Sequence, residues 1–275
     1  MKRIPIEDNF NDVISKAQFG RKISDSELAT RAKITIQQLA EAKKGSIDDA
    51  VIRALASALK LNADALIALA HHAWYPAVPS FGDGFAMFNT PFRDDITVNS
   101  YLVWDPVVKD AAIFDTGSDA TEMLKTIREK KLNVRAIFIT HTHVDHVAAL
   151  DDLADQIRVP IFSCDREPIA HPAAKTFPEH TTFPLGYLTI NTLCTWGHSP
   201  GQTTYLISGL PQPLAIVGDS LFSGSMGGSA DFYDEQRAND TEKIMTLSED
   251  TVIAPGHGPL TTVGFEKKHN PLFAV

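Results

Sequence analysis

One heptapeptide constrains this chain more than any other feature. Thr140-His141-Thr142-His143-Val144-Asp145-His146 directly follows the strand-like run Arg135-Ala136-Ile137-Phe138-Ile139. A short run rich in isoleucine and phenylalanine reads as a buried strand. Side chains repeat every two residues in extended chain, so His141 and His143 point to one side and can reach one cation. Asp145 and His146 begin the next helix and turn toward a neighbouring point. Imidazole nitrogens with carboxylate oxygens are a donor set for zinc and related first-row metals.

Three further segments repeat the theme. Gly197-His198-Ser199-Pro200-Gly201, Gly218-Asp219-Ser220 and Pro255-Gly256-His257-Gly258-Pro259 each follow a strand-like run. Each places one His or Asp on a tight turn at a strand end, where loops carry function. Strands are expected over residues 85–89, 97–104, 111–114, 135–140, 161–163, 188–195, 203–207, 214–217 and 251–253. Helical patterns cover residues 120–131, 147–156 and 240–246. Strands interleaved with helices predict a layered α/β domain.

The first 75 residues differ. They are rich in Ala, Leu, Ile and Lys, and a Pro- and Gly-containing linker follows over residues 74–84. Short helices are expected over 26–32, 35–43, 48–59 and 64–70, with Ser24-Asp25 as a cap and Gly45 as a stop. The domains are therefore 1–75 and 76–275. Residues 77–275 hold every candidate ligand and enough strands to be expected to fold alone. Charge divides along the same line: the first 75 residues carry 11 Lys/Arg and 9 Asp/Glu, the rest 14 and 25. An acidic body repels polyphosphate and argues against nucleic-acid binding by the larger part. No apolar run reaches the roughly 18–20 residues that span a bilayer. The N-terminus turns acidic at Glu7-Asp8 before a signal peptide could form, and the two cysteines, Cys164 and Cys194, read as reduced and packed. A cytoplasmic location is expected, with no membrane partner. His71 and His72 are expected at a helix C-terminus, and His171 and His180 in solvent.

On these residues the chain resembles the metallo-β-lactamase fold superfamily, through H-x-H-x-D-H, then H, then D, then H, over residues 77–275. The resemblance implies a four-layer αβ/βα sandwich preceded by a small all-α domain. It implies that His141, His143 and His198 hold one divalent metal, that Asp145, His146 and His257 hold a second, and that Asp219 bridges them. Asp115, in Phe114-Asp115-Thr116-Gly117, matches a supporting acid behind the ligands. Zinc is the default ion, with iron or manganese as alternatives. Two ions about 3.5–4 Å apart hold a bridging hydroxide as nucleophile. Asp145 and Asp219 are the side chains expected to carry catalysis.

Within that superfamily the chain resembles glyoxalase II-like hydrolases, through Gly197–Tyr205, Gly218–Gly227 and Pro255–Thr262 with Glu266, His269, Asn270 and Pro271. The implied substrate is a small acyl thioester such as S-lactoylglutathione, or an ester. One departure stands out. Where that family continues Gly-Arg-x-Asp, this chain reads Gly227-Gly228-Ser229-Ala230-Asp231, with Gly228 in the arginine's place. A mononuclear-iron persulfide dioxygenase is an alternative, though the full seven-residue set favours two metals. The N-terminal run Glu27–Leu59 resembles lambda-repressor-like helix-turn-helix domains. That resemblance implies DNA contact through Thr35, Gln37 and Gln38, in a regulator whose metallo-domain senses a small molecule. Ile36, Glu41 and the modest positive charge favour instead a module that forms a homodimer or covers the active site.

Overall fold

The computed structural model of the chain describes residues 3–77, 80–93 and 96–274. The linker expected over 74–84 lies partly outside them, at Val78 and Pro79. Five helices come first: α1 (Phe10–Gly20), α2 (Asp25–Ala32), α3 (Ile36–Lys43), α4 (Asp49–Ala58) and α5 (Ala63–Ala70). Side-chain caps start α2 to α5: Ser24, Thr35, Asp48 and Asn62 each accept from a backbone N–H of the first turn. The sequence reading lacked α1, although its buried residues Phe10, Val13, Ile14 and Ala17 follow helical spacing.

The remainder runs β1 (Phe85–Phe92), β2 (Ile96–Trp104), β3 (Asp110–Phe114), α6 (Thr121–Lys130), β4 (Asn133–Phe138), α7 (Val144–Val147), α8 (Leu150–Ile157), β5 (Ile161–Cys164), β6 (Ala174–Phe177), β7 (Thr182–Leu185), β8 (Leu188–Cys194), β9 (Thr203–Ser208), β10 (Leu214–Gly218), β11 (Leu221–Phe222), β12 (Ser225–Met226), α9 (Tyr233–Lys243), β13 (Val252–Pro255), β14 (Thr261–Thr262) and α10 (Val263–His269). Two six-stranded sheets form, in the orders β1-β2-β3-β4-β5-β6 and β14-β13-β10-β9-β8-β7.

Strand alternation builds the layers. In β3 and β4, Ala112, Phe114, Ala136 and Phe138 enter a core shared with Tyr205, Ile207, Leu214 and Ile216 of the other sheet. Their neighbours Ala111, Ile113 and Ile137 face the opposite side and pack with Met123 of α6 and Leu153 of α8. In β10, Ala215 and Val217 turn the other way, into a core with the N-terminal helices. The order is thus helices, sheet, sheet, helices, with the N-terminal helices forming part of an outer layer that the sequence reading expected from residues 77–275 alone.

That last core crosses the expected domain boundary. Ala215, Val217, Leu221, Met226, Tyr233, Ile253 and Phe273 share a single apolar cluster with Phe10, Val13, Ile14, Leu66 and Leu69. The change of architecture near residue 75 is therefore not a gap in packing: two cores lie within residues 77–275, and the third is shared with the N-terminal helices. Helix α9 also departs from expectation, running from Tyr233 to Lys243 rather than over 240–246. Its buried positions are Tyr233, Gln236 and Asp240. Two of the three are polar, so apolar periodicity could not reveal it. The edge strand β6 is mostly exposed and β7 contains Pro184, both signs that weaken a strand pattern.

Candidate metal centre

The loops after β3, β4, β8, β10 and β13 meet at one end of the sandwich. Strand direction explains this: β3 is parallel to β4, and β10 to β13. Bonds between the sheets fix the end where the loops gather. Asn99 Nδ2 donates to the carbonyls of Pro255 and Gly258, Tyr101 Oη to that of Pro255, and Tyr205 Oη to that of Ile139.

The structure brings all seven candidate ligands together. Ligand atoms of His141, His143, His198 and Asp219 lie within 4.8 Å of one another, as do those of Asp145, His146 and His257. Asp219 touches both groups. Its Oδ2 is 3.4 Å from Nε2 of His198 and 3.4 Å from Nε2 of His257, and its Oδ1 is 3.2 Å from Nε2 of His146. Asp145 Oδ2 lies 3.2 Å from His257 Nε2.

The outer ring nitrogens are held from behind. His146 Nδ1 bonds Asp115 Oδ2 at 2.8 Å, His198 Nδ1 the Gly228 carbonyl at 2.7 Å, and His257 Nδ1 the Thr97 carbonyl at 2.7 Å. An acceptor at Nδ1 fixes the tautomer and turns Nε2, with its lone pair, inward. Three such inward atoms, His141 Nε2, His146 Nε2 and Asp219 Oδ1, are buried without a hydrogen-bond partner among the described residues. Buried polar atoms cost free energy unless something pairs with them. Glycine makes the room: a Cβ on Gly256 would overlap Asp219 Oδ1 and crowd the His146 ring. The donor set and these orphaned atoms fit divalent metal ions.

Electrostatics agree. Burial pulls His141 well below its usual range, so it offers a lone pair. Burial would lower His146 too, but the charges of Asp219 and Asp115 outweigh it and carry it up to about 10. His257 follows the same logic, with burial opposed by Asp219 and by its bond to Asp145, and reaches about 11. Burial would raise Asp219, yet His146 and His257 hold it well below the carboxylate range. The site therefore attracts positive charge, and protons compete with metal ions for it.

Glu167 was not singled out in the sequence. Its Oε1 accepts from Thr142 N–H at 2.7 Å and Thr142 Oγ1 at 2.6 Å; its Oε2 accepts from Ser199 Oγ at 2.6 Å and Gly201 N–H at 2.8 Å. It ties the His141–His146 loop to the His198 loop. No spacing marks it, because its partners come from two distant turns. Other residues lie apart from the centre. His171 Nδ1 accepts from Ala173 N–H, and His71 Nε2 sits 2.8 Å from Asp49. Thr35, Gln37 and Gln38 are exposed on the first turn of α3, far along the chain from the ligands. Gln38 Oε1 accepts from Thr35 N–H, closing a capping box, and Gln37 Nε2 donates to Glu41.

A cleft of about 400 Å³ opens beside His198, lined by Arg166, Trp196, Ser199, Pro200, Ala230 and Phe232. Trp196 and Phe232 meet edge to face at 5.5 Å. A cleft of about 460 Å³ between Gly20–Ile23 and Tyr233–Glu235 touches none of the ligands. Both cysteines are free and buried, and no helix among the described residues is long and apolar enough to cross a membrane.

Known proteins are similar to this chain. The family model of the metallo-beta-lactamase superfamily matches residues 93–184. The probable metallo-hydrolase YqgX of Bacillus subtilis is 32% identical over 181 residues, 58% of this chain and 85% of the relative. The hydroxyacylglutathione hydrolase GloC of Haemophilus influenzae is 29% identical over 197 residues, 63% of this chain and 91% of the relative. Among solved structures, the BLEG-1 B3 metallo-beta-lactamase superposes with a TM-score of 0.59 at 28% identity, covering 69% of this chain and all of that one.

Proposed function

The chain belongs to the metallo-beta-lactamase superfamily, and we propose that within it the protein is a binuclear metal-dependent hydrolase of acyl thioesters, S-lactoylglutathione being the first to test. The observation that carries this reading is Asp219, whose two oxygens face the two ligand groups at once. His141, His143 and His198 would hold one ion, and Asp145, His146 and His257 the other, with Asp219 shared. Zinc is the default, iron and manganese the alternatives. Bound there, divalent ions polarise a carbonyl and lower the pKa of water to about 7.

The chain's own residues do the rest. Trp196 and Phe232 offer an apolar wall to the acyl or thiol part, and Arg166 a cation at its edge. Asp145, less buried than Asp219, would take the proton released when water adds to the acyl carbon. The carbon–sulfur bond then breaks to give a carboxylic acid and a thiol. The relative GloC, described as a hydroxyacylglutathione hydrolase, supports the thioester class. Gly228 bears on glutathione itself: its carbonyl holds His198, and a Cβ there would meet nothing within 4 Å.

A DNA-regulator reading of Thr35, Gln37 and Gln38 is the weaker one, because Gln38 closes its own helix cap and Gln37 pairs with Glu41. A panel of S-lactoylglutathione, a neutral thioester, a lactone and a β-lactam tests the proposal. The thioesters should give the highest kcat/KM, and Asp219→Ala should lower it by about a thousandfold or more, the scale of lost metal catalysis. A β-lactam or lactone turned over faster than both thioesters would reject it.

A further inference from the structure

Residues 3–9, ahead of α1, run over the loop that carries His257. Gly258 shows how closely: with φ at +73°, a Cβ there would lie 3.2 Å from Glu7 N and 3.4 Å from Glu7 Cβ. Several contacts pin this arm. The Arg3 guanidinium sits 3.6 Å from the Tyr75 ring centroid, and Tyr75 Oη donates to the Ile4 carbonyl at 2.8 Å. Lys16 Nζ binds Asp8 Oδ2 at 2.5 Å and the Met226 carbonyl at 3.1 Å. It also lies over the ring of Phe222, which packs edge-on against His257 at 5.5 Å.

Glu7 is held between these anchors, part-buried. Lys16 is taken by Asp8, and Glu7 has no hydrogen-bond or ion-pair partner of its own among the described residues. Glu7 belongs to neither ligand group, yet it is close enough for its charge to act on His257 and Asp219. The opposite side of the centre is open: His143 is exposed, and the Arg166 cleft begins at His198. A substrate at the centre therefore has the Glu7 carboxylate behind the His257 loop, with Lys16 and His257 as its nearby cations, and the Arg166 guanidinium with Asp231 on the open side.

We propose that Glu7, presented by the N-terminal arm, is a specificity-determining residue that disfavours thioesters with an anionic thiol part and favours neutral or cationic ones. Like charges within a Debye length repel, and removing one changes affinity for charged partners selectively. The inference rests on the hydrolase reading above. It also gives the N-terminal helical segment a task at the metal centre.

The test compares S-lactoylglutathione with the neutral S-lactoyl-N-acetylcysteamine in wild type, Glu7→Gln and Glu7→Lys, together with glutathione binding by calorimetry to the same three proteins. The ratio of kcat/KM, anionic over neutral, should rise about threefold in Glu7→Gln and about tenfold in Glu7→Lys, the size of a partly screened charge. Glutathione should bind more tightly in the same order. A residue that merely shaped the loop would move both substrates alike, so an unchanged ratio overturns the proposal. If wild type hydrolyses neither thioester, the hydrolase reading fails, and calorimetry still decides the role of Glu7. Equal glutathione affinity in all three proteins, or no binding by any, overturns it.

Discussion

Asp115 has a backbone φ of +56°, in the left-handed region that few non-glycine residues enter. Its two oxygens explain the placement. Oδ1 accepts from Thr140 N–H at 2.8 Å, while Oδ2 accepts from Thr140 Oγ1 at 2.7 Å and from His146 Nδ1 at 2.8 Å. One side chain thus sets both the start of the ligand loop and the orientation of a ligand. Asp115→Asn should cost about 10–100-fold in metal affinity, the usual effect of removing such an outer partner; competitive titration with a chelating dye measures it, and unchanged affinity would reject the role. Glu266 is a different buried acid. Burial raises it to about 7, although Thr261, Gly224, Asn270 and Ser223 donate to it. A folded-state pKa above the ordinary glutamate value contributes stability that is present at low pH and lost as pH rises through about 7. The Tm of wild type relative to Glu266→Gln should therefore fall between pH 5 and pH 8. A pH-independent difference would contradict the raised value. At this scale the candidate ligands were legible in the sequence, because His and Asp flanked by glycine after strands leave a pattern. Glu167 and the backbone carbonyls of Thr97 and Gly228 were not, since only the folded loops bring them to their partners.

Each candidate ligand sits in a turn or short helix that follows a strand, so errors in an element become errors in the site. Residues 136–138 show why the strands could be read. Ala136 and Phe138 face one core and Ile137 the other, which makes a continuous apolar run. Helix α9 shows the limit. Gln236 donates from Nε2 to the carbonyls of Ser220 and Gly227, so a polar residue faces inward to brace the Asp219 loop. A periodicity built on apolar residues passes over such a helix. Between elements, Glu167 is the clamp that joins the β4 and β8 loops across the two sheets. Burial would raise it, yet its four donors hold its carboxyl below the usual range, so it is charged at neutral pH. Glu167→Ala should lower metal affinity by about tenfold or more and destabilise the fold by about 2–4 kcal/mol, because four part-buried donors lose a charged acceptor. Metal titration and denaturant melts at pH 7 read both quantities, and an effect confined to stability would mean that the clamp does not shape the centre.

At the scale of the whole molecule, the N-terminal helices and the sandwich are joined by one core and by polar ties. Asn62 N–H donates to the Pro271 carbonyl at 2.7 Å, and Arg237 reaches both Lys60 and Leu272 carbonyls. The division near residue 75 was visible as a change in composition. The packing across it was not, because pairing between distant segments leaves no local periodicity. Removing residues 1–76 should expose Val217, Leu221, Met226 and Ile253 as one apolar face, which promotes self-association. The truncated chain should melt earlier and elute as aggregates in size exclusion; a monomer with an unchanged Tm would show that the sandwich is self-sufficient. The central claim concerns the metals, and metal content per chain tests it most directly. Mass spectrometry of protein purified without chelator should find two divalent ions per chain in wild type and fewer than one in Asp219→Ala. One ion per chain in wild type, unaffected by Asp145→Ala or His257→Ala, would contradict the binuclear site.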